Sequence, residues 1–214
     1  EKIIIVIPAY KAGEYIKDCL DSIASQSYFN ANSNYEIILG IDGCVETLEV
    51  VKKIRTKYRN LKVFMMESNK GVYITLNTLF SIVREENIII FNADDIMKLN
   101  MVEKIASFIL DFDLVRFYCQ TFENEIEDRS DIILSRGCLF LKKRVFEMLG
   151  GFKPWLCGAD LDFIYRAENI FNEKRVIEVL FHYRKHSESL TQSPLTGLKS
   201  NIRKNYHRQL SKSF

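Results

Sequence analysis

The segment Ile88–Asp95, IIIFNADD, sets an apolar run against a polar tip with two adjacent acids. Carboxylates at the mouth of an apolar strand are costly to leave unpaired and suit a hard divalent cation. The tip therefore points to a metal and an oxygen-rich ligand such as a diphosphate. Acids after a strand also serve as turn and helix-capping residues, which is the plain structural alternative. Two later segments carry further polar chemistry: GADLDFIYR (158–166), with carboxylates at Asp160 and Asp162, and HYRKHSESLT (182–191), with two imidazoles. If a strand continues through 182–184, His182 faces a core. The polar loop after Arg184 gives His186 the better access.

Such residues need a scaffold that delivers them to one place. Ile3–Ile7 is a continuous β-branched run without polar alternation, as expected of a parallel strand covered on both faces. Pro8-Ala9-Tyr10 breaks it, and Ile16, Cys19, Leu20 and Ile23 then recur at helical spacing. Apolar runs at Glu36–Ile41, Leu61–Met66 and Ile88–Phe91 predict three more strands, with helices over Thr47–Tyr58 and Tyr73–Arg84 between them. This is the βα alternation of an α/β domain with a Rossmann-like, mostly parallel sheet. Ligands bind such sheets at the carboxyl ends of the strands, where Tyr10, Asp42, Asn69 and Asp94 would meet. After Asp95 the pattern changes. Helices are predicted over Met101–Phe112, Arg144–Leu149 and Asp160–Phe171, and strands over Leu114–Phe122, Ile132–Leu141 and Arg175–Tyr183. The first half thus reads as a nucleotide-binding layer and the second as an acceptor-facing layer.

The 214 residues suit one domain, expected as 1–198, with halves 1–95 and 96–198, followed by a segment 199–214. The net charge is only +2, yet Lys199, Arg203, Lys204, Arg208 and Lys212 all fall in the last sixteen residues, leaving the body net acidic. That balance excludes a general nucleic-acid footprint. Leu198, Ile202, Tyr206 and Leu210 recur every four residues between these cations. The pattern predicts an amphipathic helix set against the domain, a neighbouring domain or an anionic membrane face. Five cysteines without a CxxC pair read as reduced thiols, and no apolar run is long enough to span a bilayer. The expectation is a cytoplasmic protein, with membrane association left open by the tail.

Seven segments in order carry a resemblance to the family 2 glycosyltransferases of GT-A fold. They are IVIPAYKAGEYIKDCLDSIASQSY (5–28), EIILGIDG (36–43), NKG (69–71), IIIFNADD (88–95), GCLFLKKRVFEMLGGF (137–152), GADLDFIYR and HYRKHSESLT. The resemblance implies a metal-dependent inverting transferase that moves a sugar from a UDP-sugar to a hydroxyl acceptor on a glycan, lipid-linked glycan or protein. Pro8, Ala9 and Tyr10 would line the nucleotide base, with Asp42 accepting a hydrogen bond from it. The alternative packs Tyr10 in a loop and makes Asp42 a helix cap. Asn69 and Gly71 would border the nucleotide.

Asn92-Ala93-Asp94 stands where the family commonly has Asp-x-Asp. Asp94 would touch Mn²⁺ or Mg²⁺ on the diphosphate, with His186 completing that site. Asp160 would be the base that takes the acceptor proton, or else an N-terminal helix cap, and Asp162 an acceptor contact or a solvated residue. Arg166 resembles an arginine that braces the site, and Trp155 would be a sugar platform or an anchor for Phe152. Because Asn92 and Ala159 replace acids, a noncatalytic sugar-nucleotide or glycan-binding module of the same fold is the second reading.

Overall fold

The computed structural model describes residues 1–31, 34–123 and 131–213, without the side chains of 30, 31, 212 and 213. Lys212 of the basic tail and Phe214 thus lie outside the described side chains. The elements run β1 (Ile3–Ala9), α1 (Ile16–Ala24), α2 (Ser27–Ala31), β2 (Tyr35–Ile41), α3 (Val45–Ile54), β3 (Leu61–Met65), α4 (Val72–Ile82) and β4 (Asn87–Ile90). The second half adds β5 (Ile96–Met97), α5 (Met101–Ala106), β6 (Leu114–Phe122), β7 (Ile132–Leu134), β8 (Leu139–Lys142), α6 (Lys143–Leu149), α7 (Ala159–Glu168), β9 (Glu173–Arg184) and α8 (Asn201–Ser213).

Every residue of β1 is buried, and the strand sits inside the sheet because its side chains divide between two cores. Ile3, Ile5 and Ile7 join the cluster under α1, α3 and α5, whereas Ile4 and Val6 join the one under α4, α6 and α7. A strand's two-residue period produces this division. Each fully buried Ile or Val contributes about 1.5–3 kcal/mol, which makes a central position the favourable one for this run.

The sheet order is β3-β2-β1-β4-β8-β6-β9-β5, with β7 attached to β6. β3, β2, β1 and β4 are mutually parallel. β8 then runs antiparallel to both of its neighbours, so the sheet is mixed, with a parallel nucleotide-type half. The chain moves outward from β1 to β3 and returns to β4 on the other side. That leaves a crevice between the carboxyl ends of β1 and β4, the usual ligand position in open α/β sheets.

Several boundaries differ from the sequence expectation. The helix expected to run to Tyr58 ends at Ile54 and passes into a 3₁₀ turn, Arg55–Lys57. The one expected to reach Phe112 ends at Ala106. The strand expected over 132–141 is broken in two, because β7 pairs with β6 while β8 inserts between β4 and β6. Ser135 turns the chain between them, its hydroxyl accepting the Cys138 amide at 3.1 Å.

The tail packs on the domain: Tyr206 of α8 stacks on Trp155 with centroids 4.5 Å apart and rings 7° from parallel, and Leu210 is buried. Trp155 thus stacks on the tail and also packs against the apolar cluster that contains Phe152. All five cysteines are free and buried. Among the described residues, no helix is long and apolar enough to cross a membrane.

Candidate active site

The loops after β1, β2 and β3 are tied to one another by backbone groups. The Asp42 amide donates to Ala9 O at 2.8 Å. Its buried carboxylate accepts the Lys70 amide at 2.7 Å on one oxygen and the Gly71 amide at 2.8 Å on the other. Asp42 thus holds the loop that starts α4 and does not cap α3, the helix that follows it in sequence. Gly43 permits this closeness: at φ +67°, a Cβ there would lie 2.3 Å from Asn69 N. Asn69 adds a bond from the Gly71 amide to its own side chain at 3.1 Å. Tyr10 is 48% exposed, so its ring is available to a flat ligand rather than packed away.

The 92–95 loop is clamped from below by Asp95, which is fully buried. Its carboxyl accepts Asn92 Nδ2 at 2.9 Å and the Arg184 amide at 3.0 Å. Burial, reinforced by the neighbouring Asp94 charge, pushes the Asp95 pKa well above the carboxylate range. Arg184 also bonds Asp94 O through Nε at 3.1 Å and lies over the rings of Tyr15 and Phe122. With its backbone fixed in this way, Asp94 reaches His186, Oδ2 to Nε2 being 3.0 Å. Tyr15 packs on the imidazole at 4.6 Å between centroids. His186 Nδ1 is buried with no hydrogen-bond partner among the described residues, an orphan that a ligand could relieve. His182 is buried on β9, pairing in register with Ile96, and takes no part in this pair.

Asp160 lies in the first turn of α7, with Gly158 as the helix N-cap and no side-chain cap bond. The capping alternative for Asp160 is therefore not what is seen. Its Oδ1 accepts the Tyr73 hydroxyl at 2.9 Å, and that hydroxyl in turn accepts the Gly158 amide at 3.1 Å. Burial, then the Asp160 charge, raises the Tyr73 phenol well above its ordinary pKa, so it remains a proton donor to the carboxylate.

Asp162 corrects an expectation. It is fully buried, paired with Arg166 Nε at 2.8 Å and Lys153 Nζ at 2.6 Å, because the helical turn rotates it inward. Arg166 also bonds the carbonyls of Leu149 and Gly151, at 2.6 and 2.9 Å. It fixes the turn before α7 from beneath.

These elements enclose one cavity of about 1080 Å³. Eleven residues singled out from the sequence line it, Pro8, Ala9, Tyr10, Asp42, Asn69, Gly71, Asn92, Ala93, Asp94, Asp160 and His186, whereas Trp155, Asp162, Arg166 and His182 do not. Sequence reasoning missed Tyr73, Arg184 and the α8 residues Arg203 and His207, of which Tyr73, Arg203 and His207 also line the cavity. Arg184 had a signal, since it lies within the HYRKHSESLT segment. Tyr73 had none, being an ordinary aromatic on an apolar helix face.

No group of three or more acidic, His or Cys donors gathers among the described residues. Asp94 and His186 supply two. A small hard dication commonly takes one or two carboxylates and completes its shell with substrate phosphates and water, so the donor set fits a cation shared with a diphosphate.

The sequence profile of the family described as Glycosyl transferase family 2 matches residues 4–181. Streptococcus pneumoniae GlyG, named a glycosyltransferase, is 32% identical over 106 residues, which are 49% of this chain and 34% of that protein. Two solved structures share the fold. Staphylococcus aureus TarS 1-349 in complex with UDP-GlcNAc has a TM-score of 0.75 at 17% identity, covering 88% of this chain and 60% of that one. The mannosyltransferase PcManGT from Pyrobaculum calidifontis, in complex with GDP-Man and Mn²⁺, has a TM-score of 0.70 at 16% identity, covering 85% and 56%. The chain spans only part of each of these longer relatives.

Proposed function

The chain belongs to glycosyl transferase family 2, and from that membership we propose that it transfers a sugar from a UDP-sugar to a hydroxyl acceptor with inversion. The observation that carries the reading is a convergence. Asp94 after β4, Asp160 on α7 and His186 after β9 are remote in sequence, yet they line the cavity that also holds Tyr10, Asp42 and Gly71. The solved relatives bound to UDP-GlcNAc and to GDP-Man support a nucleoside-diphosphate sugar as donor.

In this reading residues 1–95 serve the donor. Tyr10 stacks on the base, Pro8 and Ala9 line it, and the loop pinned by Asp42 brings Asn69 and Gly71 against the nucleotide. Asn92 and Ala93 border the ribose and diphosphate. Residues 96–198 serve the acceptor apart from His186, and the described part of the tail packs against the domain through Tyr206 and Leu210. Lys204 and Arg208 remain exposed on α8, available to a neighbouring domain or an anionic surface.

Asp160 accepts the proton of the acceptor hydroxyl while that oxygen attacks the anomeric carbon. The bond from this carbon to the diphosphate breaks, and its electron pair leaves with UDP. A positioned base of this kind contributes about 10²–10⁴-fold. Asp94 and His186 would hold Mn²⁺ or Mg²⁺, which when bound stabilises charge on the departing diphosphate. Tyr73 orients the base, and burial of the Asp95–Asn92–Arg184 cluster fixes the loop that presents Asp94.

UDP release from a panel of UDP-sugars, with and without Mn²⁺, tests the reading. Asp160→Asn should lower turnover by about a hundredfold or more while UDP affinity holds. Asp94→Ala should remove most of the cation dependence. Unchanged turnover in Asp160→Asn refutes the base assignment. Tight donor binding without turnover on any acceptor favours the noncatalytic module, a reading with its own support: Asn92 spends its amide on Asp95, and Ala159 is buried in the apolar core.

A further inference from the structure

Helix α8 delivers basic groups to the part of the cavity that holds Asp160. Arg203 is only 8% exposed, a degree of burial rare for a guanidinium without an acidic partner. Its Nε donates to Thr196 O at 2.8 Å, and no acid among the described residues pairs with it. Its positive charge is felt by the Tyr73 phenol, which bonds Asp160. His207 also lines the cavity, its Nε2 lying 3.9 Å from where a Cβ on Gly158 would be. Partial burial, then the charges of Arg203 and Arg136, push the His207 pKa below its ordinary value, with Asp160 opposing. Arg136, exposed, lines the same cavity, its charge acts on His207, and it has no acid partner among the described residues.

A buried guanidinium left without an anion is costly, and a bidentate phosphate or carboxylate is the ligand its fork fits best. Building that cost into a cavity wall makes physical sense when the ligand brings the missing charge. We propose that the acceptor carries an anionic group, a phosphate ester by chemistry, held beside Asp160 by Arg203 with Arg136 and His207. The inference rests on the reading of Asp160 as the acceptor-side base. In a single displacement the attacking and departing oxygens lie on opposite sides of the anomeric carbon. The guanidinium groups of Arg203 and Arg136 on the base side therefore meet the acceptor, while Asp94 and His186 meet the diphosphate. The rim supports an acceptor with some apolar body, since Leu156, Leu195 and Leu198 line the same cavity and are exposed.

The single tryptophan supplies the readout, because Trp155 stacks on Tyr206 one residue from His207. Glycerol phosphate, a phosphate monoester with free hydroxyls, is titrated into the protein saturated with UDP. Trp155 fluorescence is followed, with potassium chloride as the ionic-strength control. Saturable binding is expected, weakened about tenfold or more in Arg203→Gln, less in Arg203→Lys, and also in the exposed-site variant His207→Gln. UDP affinity should stay within twofold in all three. Glycerol phosphate that fails to bind the UDP complex, or that binds all variants alike, overturns the inference while leaving the donor reading intact. A large loss of UDP affinity in Arg203→Gln that Arg203→Lys restores moves the arginine to the donor diphosphate and overturns it as well. Absence of UDP binding in the unmodified protein removes both readings together.

Discussion

Replacing Tyr73 with Phe deletes one oxygen at the junction of two bonds and separates positioning from folding. The lost hydroxyl donates to Asp160 at 2.9 Å and accepts the Gly158 amide at 3.1 Å. Gly158 is buried, so its amide loses its acceptor where water does not readily replace it, at about 1–3 kcal/mol. Taking roughly 2 kcal/mol, a chain of this size should melt about 4–8 °C lower. The bond to a charged carboxylate is the stronger of the two, about 1.5–3 kcal/mol, and its loss frees Asp160 from the one side-chain hydrogen-bond partner it has among the described residues. Turnover should then fall about ten- to a hundredfold. The assay is UDP release at a temperature where both proteins are fully folded, with UDP affinity measured alongside. A purely structural role predicts the lower melting point with turnover unchanged. That result would refute the claim that Tyr73 positions the base.

Three other perturbations follow from the same geometry. Gly43→Ala should cost at least about 2 kcal/mol and weaken UDP binding, since its Cβ would meet backbone at 2.3 Å and the residue sits at φ +67°. Gly71→Ala, with nothing within 4 Å of its Cβ, should cost only the backbone strain of φ +90°, about 1–3 kcal/mol, and thermal melts that reverse this order would count against loop contact as the cause. Asp95 retains its proton in the folded chain at pH values where the unfolded chain, titrating near about pH 3.9, has already released it. The unfolded state therefore binds fewer protons, and stability should fall as pH rises through the window between the two pKa values. Relative to Asp95→Asn the loss follows the sign of that proton uptake, and stability curves from denaturant titrations that stay parallel across the acidic range would contradict the assignment.

The sequence alone determined the parallel strands β1 to β4 and the loops after them that carry chemistry. A strand covered on both faces must be apolar throughout, so β1 and β4 announce themselves as isoleucine runs, and the polar residues that end them can only be loop. Family resemblance in ordered segments added Asp94, Asp160 and His186, and the fold brings all three to one cavity.

Direction and partnership were decided by the tertiary structure. The resemblance ranks Asp160 above Asp162 but does not say what either carboxylate meets. Only the packing of α7 sends the second into a buried pair with Arg166 and leaves the first on the cavity wall beside Tyr73. His182 and His186 separate on a condition the sequence could only pose, that the strand continues through Arg184, and β9 meets it and leaves His186 facing Asp94. The amphipathic tail was legible as a helix, but its four-residue period does not say what covers it. Trp155 does, and by docking Tyr206 it brings Arg203 and His207 to a wall that no local pattern assigns to them. Local sequence fixes what is buried by the transfer cost of each side chain. Which buried or cavity-lining groups become neighbours is a property of strand order and helix packing, and it exists only once the chain has closed.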